Sequence, residues 1–472
     1  MKKLILLAIS ILFLLVSCKN TSNPDVEKLK SKYAVLLNQT LEKNLLKEYE
    51  NNSKRGEVML QGFTWESHKE NGTWWDTLAA AGSEIGTYFD YVWFPPVSDS
   101  ESANGYMPRE LYNLNSAYGS EESLKNAIAA IYPAKAVADV VINHRSGSTS
   151  WGDFQNPAWE TVKGENYKAI SSSDEGFSND EFMMMVAENM RGNKDTGDNF
   201  VGCRDLDHTN PVVQQGIIDW MKKLRDFGFA GWRFDYAKGY SPSFVGYYNQ
   251  AVETDFAVGE YWVDDSGKIQ KWINKTETSL GAEYPTGKKT MAFDFRLKSI
   301  LNHVFGKKEN QDNKNFQLLG FNDSIMKMMP EYAVTFVENH DTGSTQGHWP
   351  IDSSDLGTAY AFLLTHPGIP CVSYEHYGTE TADGKGDWIV SGTEMTLHNH
   401  INFLITLRKI CGITNTSALE VEKVEPSVYK ATVKGENANI ILIINPNPKT
   451  NSVPKGYKAI YSGDIWTIYT NL

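Results

Sequence analysis

The sequence predicts an α/β protein built on a (β/α)8 TIM barrel, with a small domain inserted after strand 3 and a C-terminal antiparallel β-sheet domain. Three observations carry that prediction. Eight short β-rich runs alternate with helical stretches, as an eightfold barrel requires. The connection from His144 to Pro211 is far longer than the roughly 2–6 residues usual between a strand and its helix. After about Gly412 the pattern becomes wholly β.

Taken in order, the first segment is an address. Lys2 and Lys3 precede an apolar run over 4–16, followed by Ser17 and Cys18. That run is too short for a bilayer, which needs about 20 residues, and suits the apolar region of a signal peptide. The stretch Leu15-Val16-Ser17-Cys18 resembles a bacterial lipobox, so Cys18 is expected to be lipidated and the chain exported, anchored at the periplasmic or cell-surface face of a membrane. Residues 1–17 are then the lipoprotein signal peptide and 18–56 a tether or peripheral segment, with Leu29, Tyr33, Leu36, Leu37 and Leu41 at helix-like intervals.

The expected strands cover 58–65, 90–97, 134–144, 229–236, 255–262, 289–295, 332–341 and 368–375, with helices over 121–131, 211–227 and 355–365. Pro211, after Thr209 and Asn210, is a sound helix start. The barrel is assigned to 57–144 and 209–412, and the inserted domain to 145–208. That insert is rich in Gly, Asn, Asp and Ser and carries Trp151, Phe154 and Trp159. Residues 413–472, with runs over 427–433, 439–444, 459–461 and 465–469, read as an antiparallel sandwich.

Composition excludes several classes. With 45 basic and 58 acidic residues the net charge is −13, which repels polyphosphate and argues against a nucleic-acid partner. Beyond Cys18, Cys203, Cys371 and Cys411 lack C-x-x-C spacing, which excludes a disulfide scaffold and a cysteine zinc cluster. Neither G-x-x-x-x-G-K nor G-x-S-x-G occurs. An aromatic content of 12% suits sugar faces and large cores alike. A monomer is the default for a fold with its own large core.

Active sites of eightfold barrels lie at the C-terminal ends of the strands. There the fourth run delivers Arg233 and Asp235, whose alternation puts both on one face. The fifth delivers Glu260, the seventh His340 and Asp341, and the third Asn143 and His144. Three acids at one barrel mouth suit glycoside hydrolysis, which needs a proton donor and a carboxylate facing an oxocarbenium-like carbon. Crowding raises one carboxyl's pKa, while an adjacent Arg holds another ionised.

These residues resemble the α-amylase family (glycoside hydrolase family 13), and most closely its plant-type members and their bacterial relatives. Four motifs occur in order: DVVINHR over 139–145, GWRFDYAKGY over 231–240, VGEYW over 258–262 and TFVENHDTGSTQ over 335–346. LQGFTWES over 60–67, VWFPPV over 92–97 and GYMP over 105–108 are similar to the same subgroup. The resemblance implies a retaining endo-hydrolase of α-1,4-glucosidic bonds in starch, glycogen or maltodextrins. It implies Asp235 as nucleophile, Glu260 as proton donor and Asp341 as transition-state stabiliser. Arg233, His144, His340, Tyr106, Lys238 and Trp65 become substrate-site residues. It further implies a structural Ca2+ held by Asn143, Asp195, Asp205 and the carbonyls of Asp198 and Gly239, an all-oxygen set.

Glu338 departs from the family's usual Asp, and Gly259 and Tyr261 vary around the acid; all catalytic positions are kept. Two alternatives stay open at this level: a relative that forms specific malto-oligosaccharides or transglycosylates, and a non-catalytic starch-binding lipoprotein.

Overall fold

The computed structural model describes residues 56–147, 153–159, 168–172, 192–200, 202–307, 314–343, 345–379 and 383–472. The signal segment, Cys18, nearly all of the tether and Trp151 lie outside the described residues. Among the described residues no helix is long and apolar enough to cross a membrane.

Eight parallel strands close on themselves: β1 (Met59–Gln61), β2 (Tyr91–Phe94), β3 (Lys135–Val140), β4 (Gly231–Phe234), β5 (Phe256–Gly259), β6 (Met291–Phe293), β7 (Ala333–Phe336) and β8 (Ile369–Ser373). Each pairs with its neighbours in sequence, and β8 closes on β1 with Cys371 opposite Met59. Every strand falls inside its expected run. The strands stop short of the ends of those runs because the last residues leave the ladder to present side chains at the barrel mouth. Apart from the first residues of β3 and β6, Lys135 and Met291, both faces of the strands are buried, which is why they read as continuous apolar runs rather than alternating ones.

The outer layer is α1 (Trp74–Tyr88), α2 (Glu121–Ala130), α3 (Pro211–Phe227), α4 (Pro242–Ala251), α5 (Ser266–Thr276), α6 (Phe295–Phe305), α7 (Leu356–Thr365) and α8 (Leu397–Cys411). Their starts follow local chemistry. The side chains of Ser120, Asn210, Asp265, Asp294 and Thr396 accept backbone N–H bonds at the starts of α2, α3, α5, α6 and α8. Gly412, at φ 69°, ends α8 in the left-handed conformation.

The inserted segment is anchored where it leaves β3. His144 and Arg145 pair antiparallel with Asp205 and Arg204 as the chain returns. The buried Arg145 guanidinium lies 4.9 Å from the ring of Phe154 and 4.5 Å from that of Trp159. Such cation–π contacts gain strength when desolvated.

At the C-terminus β9 (Leu419–Glu425), β10 (Val428–Lys434), β11 (Asn439–Ile444), β12 (Lys458–Ser462) and β13 (Trp466–Thr470) form one antiparallel sheet in the order β9-β10-β11-β13-β12. It is a single sheet and not the expected sandwich, because the barrel's own helices complete its core. His366 after α7 bonds the Tyr429 hydroxyl at 2.8 Å, and His400 of α8 bonds that of Tyr461 at 2.9 Å. The edge strand β9, Leu-Glu-Val-Glu-Lys-Val-Glu, escaped the sequence reading because charges occupy more than half of it.

Close backbone approach is tightest between α4 and α5, where a Cβ on Gly246 would lie 1.6 Å from the Thr276 carbonyl oxygen. Gly246→Ala is therefore expected to destabilise the protein by about 1–3 kcal/mol or more; chemical denaturation followed by tryptophan fluorescence reads it as an earlier midpoint with an unchanged slope.

Candidate active site

The site is built around a buried arginine. Arg233 projects from β4 directly opposite Asp139 of β3 in the strand register. Its Nη1 lies 2.9 Å from Asp139 Oδ1 and 2.6 Å from Asp235 Oδ1, and its Nη2 lies 2.7 Å from Glu260 Oε1. The guanidinium also sits over the ring of Trp93, 4.7 Å from its centroid. One cation thus joins the ends of three neighbouring strands.

The backbone after Asp235 serves the same cluster. Tyr236 adopts φ 42°, a left-handed conformation costly for a residue with a side chain. That turn aims the Tyr236 N–H at Glu260 Oε2, 3.0 Å away. Asp235 and Glu260 are in turn fixed by backbone bonds from their own N–H groups to the carbonyls of Val140 and Phe234.

Three carboxylates around one guanidinium cannot all be charged in a buried site. Burial pushes the Glu260 carboxyl up to about 8; the charges of Asp235 and Asp341 add to this and Arg233 pulls against it. Burial raises Asp235 and Asp139 too, with Arg233 again opposing. The three carboxyls therefore titrate together around Arg233, and at least one of them holds a proton.

The seventh strand brings Asp341 to the same mouth. It is the most open of the acids, its side chain 21% exposed, with Oδ2 3.4 Å from His340 Nε2. His340 Nε2 is also 2.9 Å from the Tyr106 hydroxyl, which donates to Asp139 Oδ2 at 3.0 Å. Tyr106, His340 and Trp65 form a set of nearly parallel rings, the Tyr106–His340 centroids 5.5 Å apart at 5° and Trp65–His340 6.0 Å apart at 13°. Burial lowers both His340 and His144 to about 4, so both rings are neutral at pH 7.

The structure therefore brings together Arg233, Asp235, Glu260, Asp341, His340, Tyr106 and Trp65. His144 is adjacent but fully engaged: Nε2 donates to the Tyr106 carbonyl at 2.8 Å, Nδ1 faces Asn143 Nδ2 at 3.2 Å, and Phe200 stacks on its face at 3.9 Å. Lys238 stands at the rim, 4.0 Å from Asp198 Oδ2 and over the Tyr236 ring. Sequence reasoning missed Asp139 and Trp93, whose indole N–H donates to Asp139 Oδ2 at 3.0 Å. The available signal was that a buried Arg needs more than one counter-charge, and β3 offers an inward-facing Asp in register with it.

The oxygen-rich residues singled out for calcium also converge. Asn143 Nδ2 donates to Asp205 Oδ1 at 3.1 Å, and Phe200 N donates to Asp205 Oδ2 at 3.1 Å. The turn holding Asp195 and Asp198 packs on Gly239: Asp198 N donates to the Lys238 carbonyl at 2.9 Å, and a Cβ on Gly197 would lie 2.4 Å from the Gly239 carbonyl carbon. A Cβ on Gly239 would fall 1.9 Å from Asn143 Oδ1, so that cradle admits no side chain. An amide oxygen, two carboxylates and backbone carbonyls are the hard donors Ca2+ takes, and these residues fit such an ion.

A closed parallel barrel with two carboxyl groups bridged by one arginine at the ends of its strands, beside a set of stacked aromatic rings, has the layout of a barrel glycoside hydrolase. Residues 83–400 match the family model described as alpha amylase, catalytic domain. A probable alpha-amylase 2 of Arabidopsis thaliana is 38% identical over 80% of this chain and 86% of its own. A glucan 1,4-alpha-maltotetraohydrolase of Roseateles saccharophilus is 28% identical over 82% of this chain and 68% of its own. Among solved structures, the alpha-amylase of Geobacillus thermoleovorans complexed with acarbose superposes with a TM-score of 0.61 at 14% identity, covering 88% of this chain and 98% of that one. The chain belongs to the α-amylase family of glycoside hydrolases.

Because the Asp341 charge helps hold the Glu260 proton, infrared titration of the Glu260 carboxyl is expected to show it protonated well above pH 4.5 in the wild type. In Asp341→Asn the transition should move to lower pH; an unchanged midpoint would refute the coupling.

Proposed function

We propose that this protein is a retaining endo-α-amylase that cuts internal α-1,4-glucosidic bonds of starch, glycogen and maltodextrins. The observation that carries the reading is the Arg233 bridge to Asp235 and Glu260. Adjacent nitrogens of one planar guanidinium hold the two carboxylates close, which suits the spacing of about 5–5.5 Å used in retention rather than the wider gap that admits a water in inversion.

In this reading Glu260 gives its proton to the glycosidic oxygen as the Asp235 carboxylate attacks the anomeric carbon. The bond to the leaving sugar breaks and a covalent glycosyl-enzyme forms. Glu260, now ionised, takes a proton from water as that water attacks the same carbon and releases Asp235. Arg233 keeps Asp235 anionic and its oxygen aimed. Asp341, open to the mouth, grips sugar hydroxyls as the ring distorts. Tyr106, with Trp65 beside it, offers an aromatic shelf for the sugar face, and neutral His340 supplies a hydrogen bond. His144 lines the site from behind Tyr106, whose carbonyl it holds, and Lys238 serves the product side.

Ca2+ belongs to the same proposal, held by Asn143, Asp195, Asp205 and the carbonyls of Asp198 and Gly239. It supplies charge neutralisation that clamps the 145–208 domain to the barrel. The chain's own contribution is to hold β3's exit, the return strand and the turn after β4 together. The barrel over 57–144 and 209–412 and the sheet domain over 413–472 complete the proposed organisation. The protein is read as an exported monomer, lipid-anchored through Cys18 after removal of 1–17. The maltotetraohydrolase relative keeps a second reading in view, in which one malto-oligosaccharide predominates.

Two outcomes follow for the chain from Asn20 onward. On soluble starch it should release mixed maltodextrins in the α-anomeric form, and Asp235→Asn should reduce kcat on the order of 10⁴-fold or more. One dominant product length would favour the second reading, and binding without cleavage in calcium-containing buffer would make it a starch-binding lipoprotein. Separately, a calcium chelator is expected to lower the wild-type thermal midpoint, with Gly239→Ala already lowered and less responsive to chelation.

A further inference from the structure

The geometry points to the buried Glu338–His376 pair as the device that positions Asp341, an assignment that rests on the role proposed for Asp341 above. Glu338 lies two residues beyond β7, is 1% exposed, and begins the loop that carries Asp341. Its Oε2 is 3.0 Å from Nε2 of His376, which sits in the one-turn helix Tyr374–Tyr377 directly after β8. His376 Nδ1 is held by the Tyr360 hydroxyl of α7 at 2.8 Å. The pair therefore ties the mouth end of β7 to that of β8.

The same carboxylate closes the loop on itself. Its Oε1 accepts the backbone N–H of Ile351, where the chain returns toward α7. Between these points the loop is wound tightly. Asn339 Oδ1 accepts the N–H groups of Asp341 and Thr342 at 3.1 and 2.9 Å, and Trp349 N donates to the Thr342 carbonyl at 2.9 Å. A Cβ on Gly343 would lie 2.2 Å from Glu338 Oε2, so the turn after Asp341 rests directly on the carboxylate. Lys298 of α6 donates to the Trp349 carbonyl. Glu338 thereby reaches both His376 and Ile351 N with its two oxygens.

The ligand-type atoms of Glu338, Glu375 and His376 all lie within 4.8 Å of one another. Lys385 pairs with Glu375; burial alone would raise the Glu338 carboxyl, but the adjacent His376, followed by Lys298 and Lys385, holds it down to about 2. With Lys298 and Lys385 beside it, the cluster holds an ionised anchor under the loop.

A double-mutant cycle tests this. Hydrolysis of maltoheptaose is measured as kcat and KM for wild type, Glu338→Gln, His376→Gln, Asp341→Asn and the two pairings with Asp341→Asn, each checked for folding by its thermal midpoint. If the pair acts through Asp341, each single variant loses at least about tenfold in kcat, as displacement of a catalytic group by a fraction of an ångström can cause, with KM changed less than about threefold. In the Asp341→Asn background the same changes should then cost nothing further. Losses that multiply with that of Asp341→Asn, or kcat unchanged in both single variants, would overturn the inference. Should Glu338→Gln not fold, His376→Gln, which leaves the bond to Ile351 N intact, decides the matter alone. Wild-type kcat in Asp341→Asn would instead refute the role proposed for Asp341, a separable result.

Discussion

A single guanidinium without access to water governs this molecule. Taking an arginine out of solvent costs several kcal/mol unless its charge is matched by well-placed acceptors. Arg233 finds them in Asp139, Asp235 and Glu260, which come from three consecutive strands. The carboxyl groups are equally dependent: remove the cation and three buried acids face one another with no counter-charge. The barrel must therefore bring β3, β4 and β5 into one register, and the cluster penalises any register that does not. Burial, with the negative charge that Arg233 leaves unmatched, raises all three carboxyls above the ordinary carboxylate range.

That arrangement also explains the aromatic belt around it. Trp93 and Tyr106 both donate to Asp139 and both place their rings near Arg233. They satisfy one carboxylate oxygen and exclude water from the guanidinium with the same atoms. The ring shelf of Tyr106, His340 and Trp65 is thus continuous with the packing that keeps the charges dry, and a sugar laid upon it would complete the enclosure.

Much of this was legible in the sequence, because its information was local. Eight apolar runs become eight buried strands, and Asp235, Glu260 and Asp341 are found where strand ends predict them. What was not legible depended on contacts between distant segments. Asp139 reads as one more residue in a strand until its register opposite Arg233 is known. Glu338 reads as a minor variant until His376, far along the chain, is seen beside it. The helix α1 buries Trp74, Trp75, Leu78 and Ile85, yet Gly82 and Gly86 dilute its pattern in the sequence. The expected sandwich became one sheet because its second layer is supplied by α7 and α8, a sharing that no local pattern announces.

The closure of β8 on β1 bears on how the protein comes to exist. Met59 finds its partner Cys371 only after most of the chain has been made, and pairings so remote in sequence are slow to form. The final fastening comes later still, when Arg408 of α8 donates to the carbonyls of His366 and Gly368 beside the start of β8. A nascent chain carrying Arg233, Asp235 and Glu260 already holds the chemistry's reactive groups, yet its open sheet has two unpaired edges exposed to other chains. An incompletely made barrel therefore keeps two sheet edges unpaired until its last strand and helix are in place.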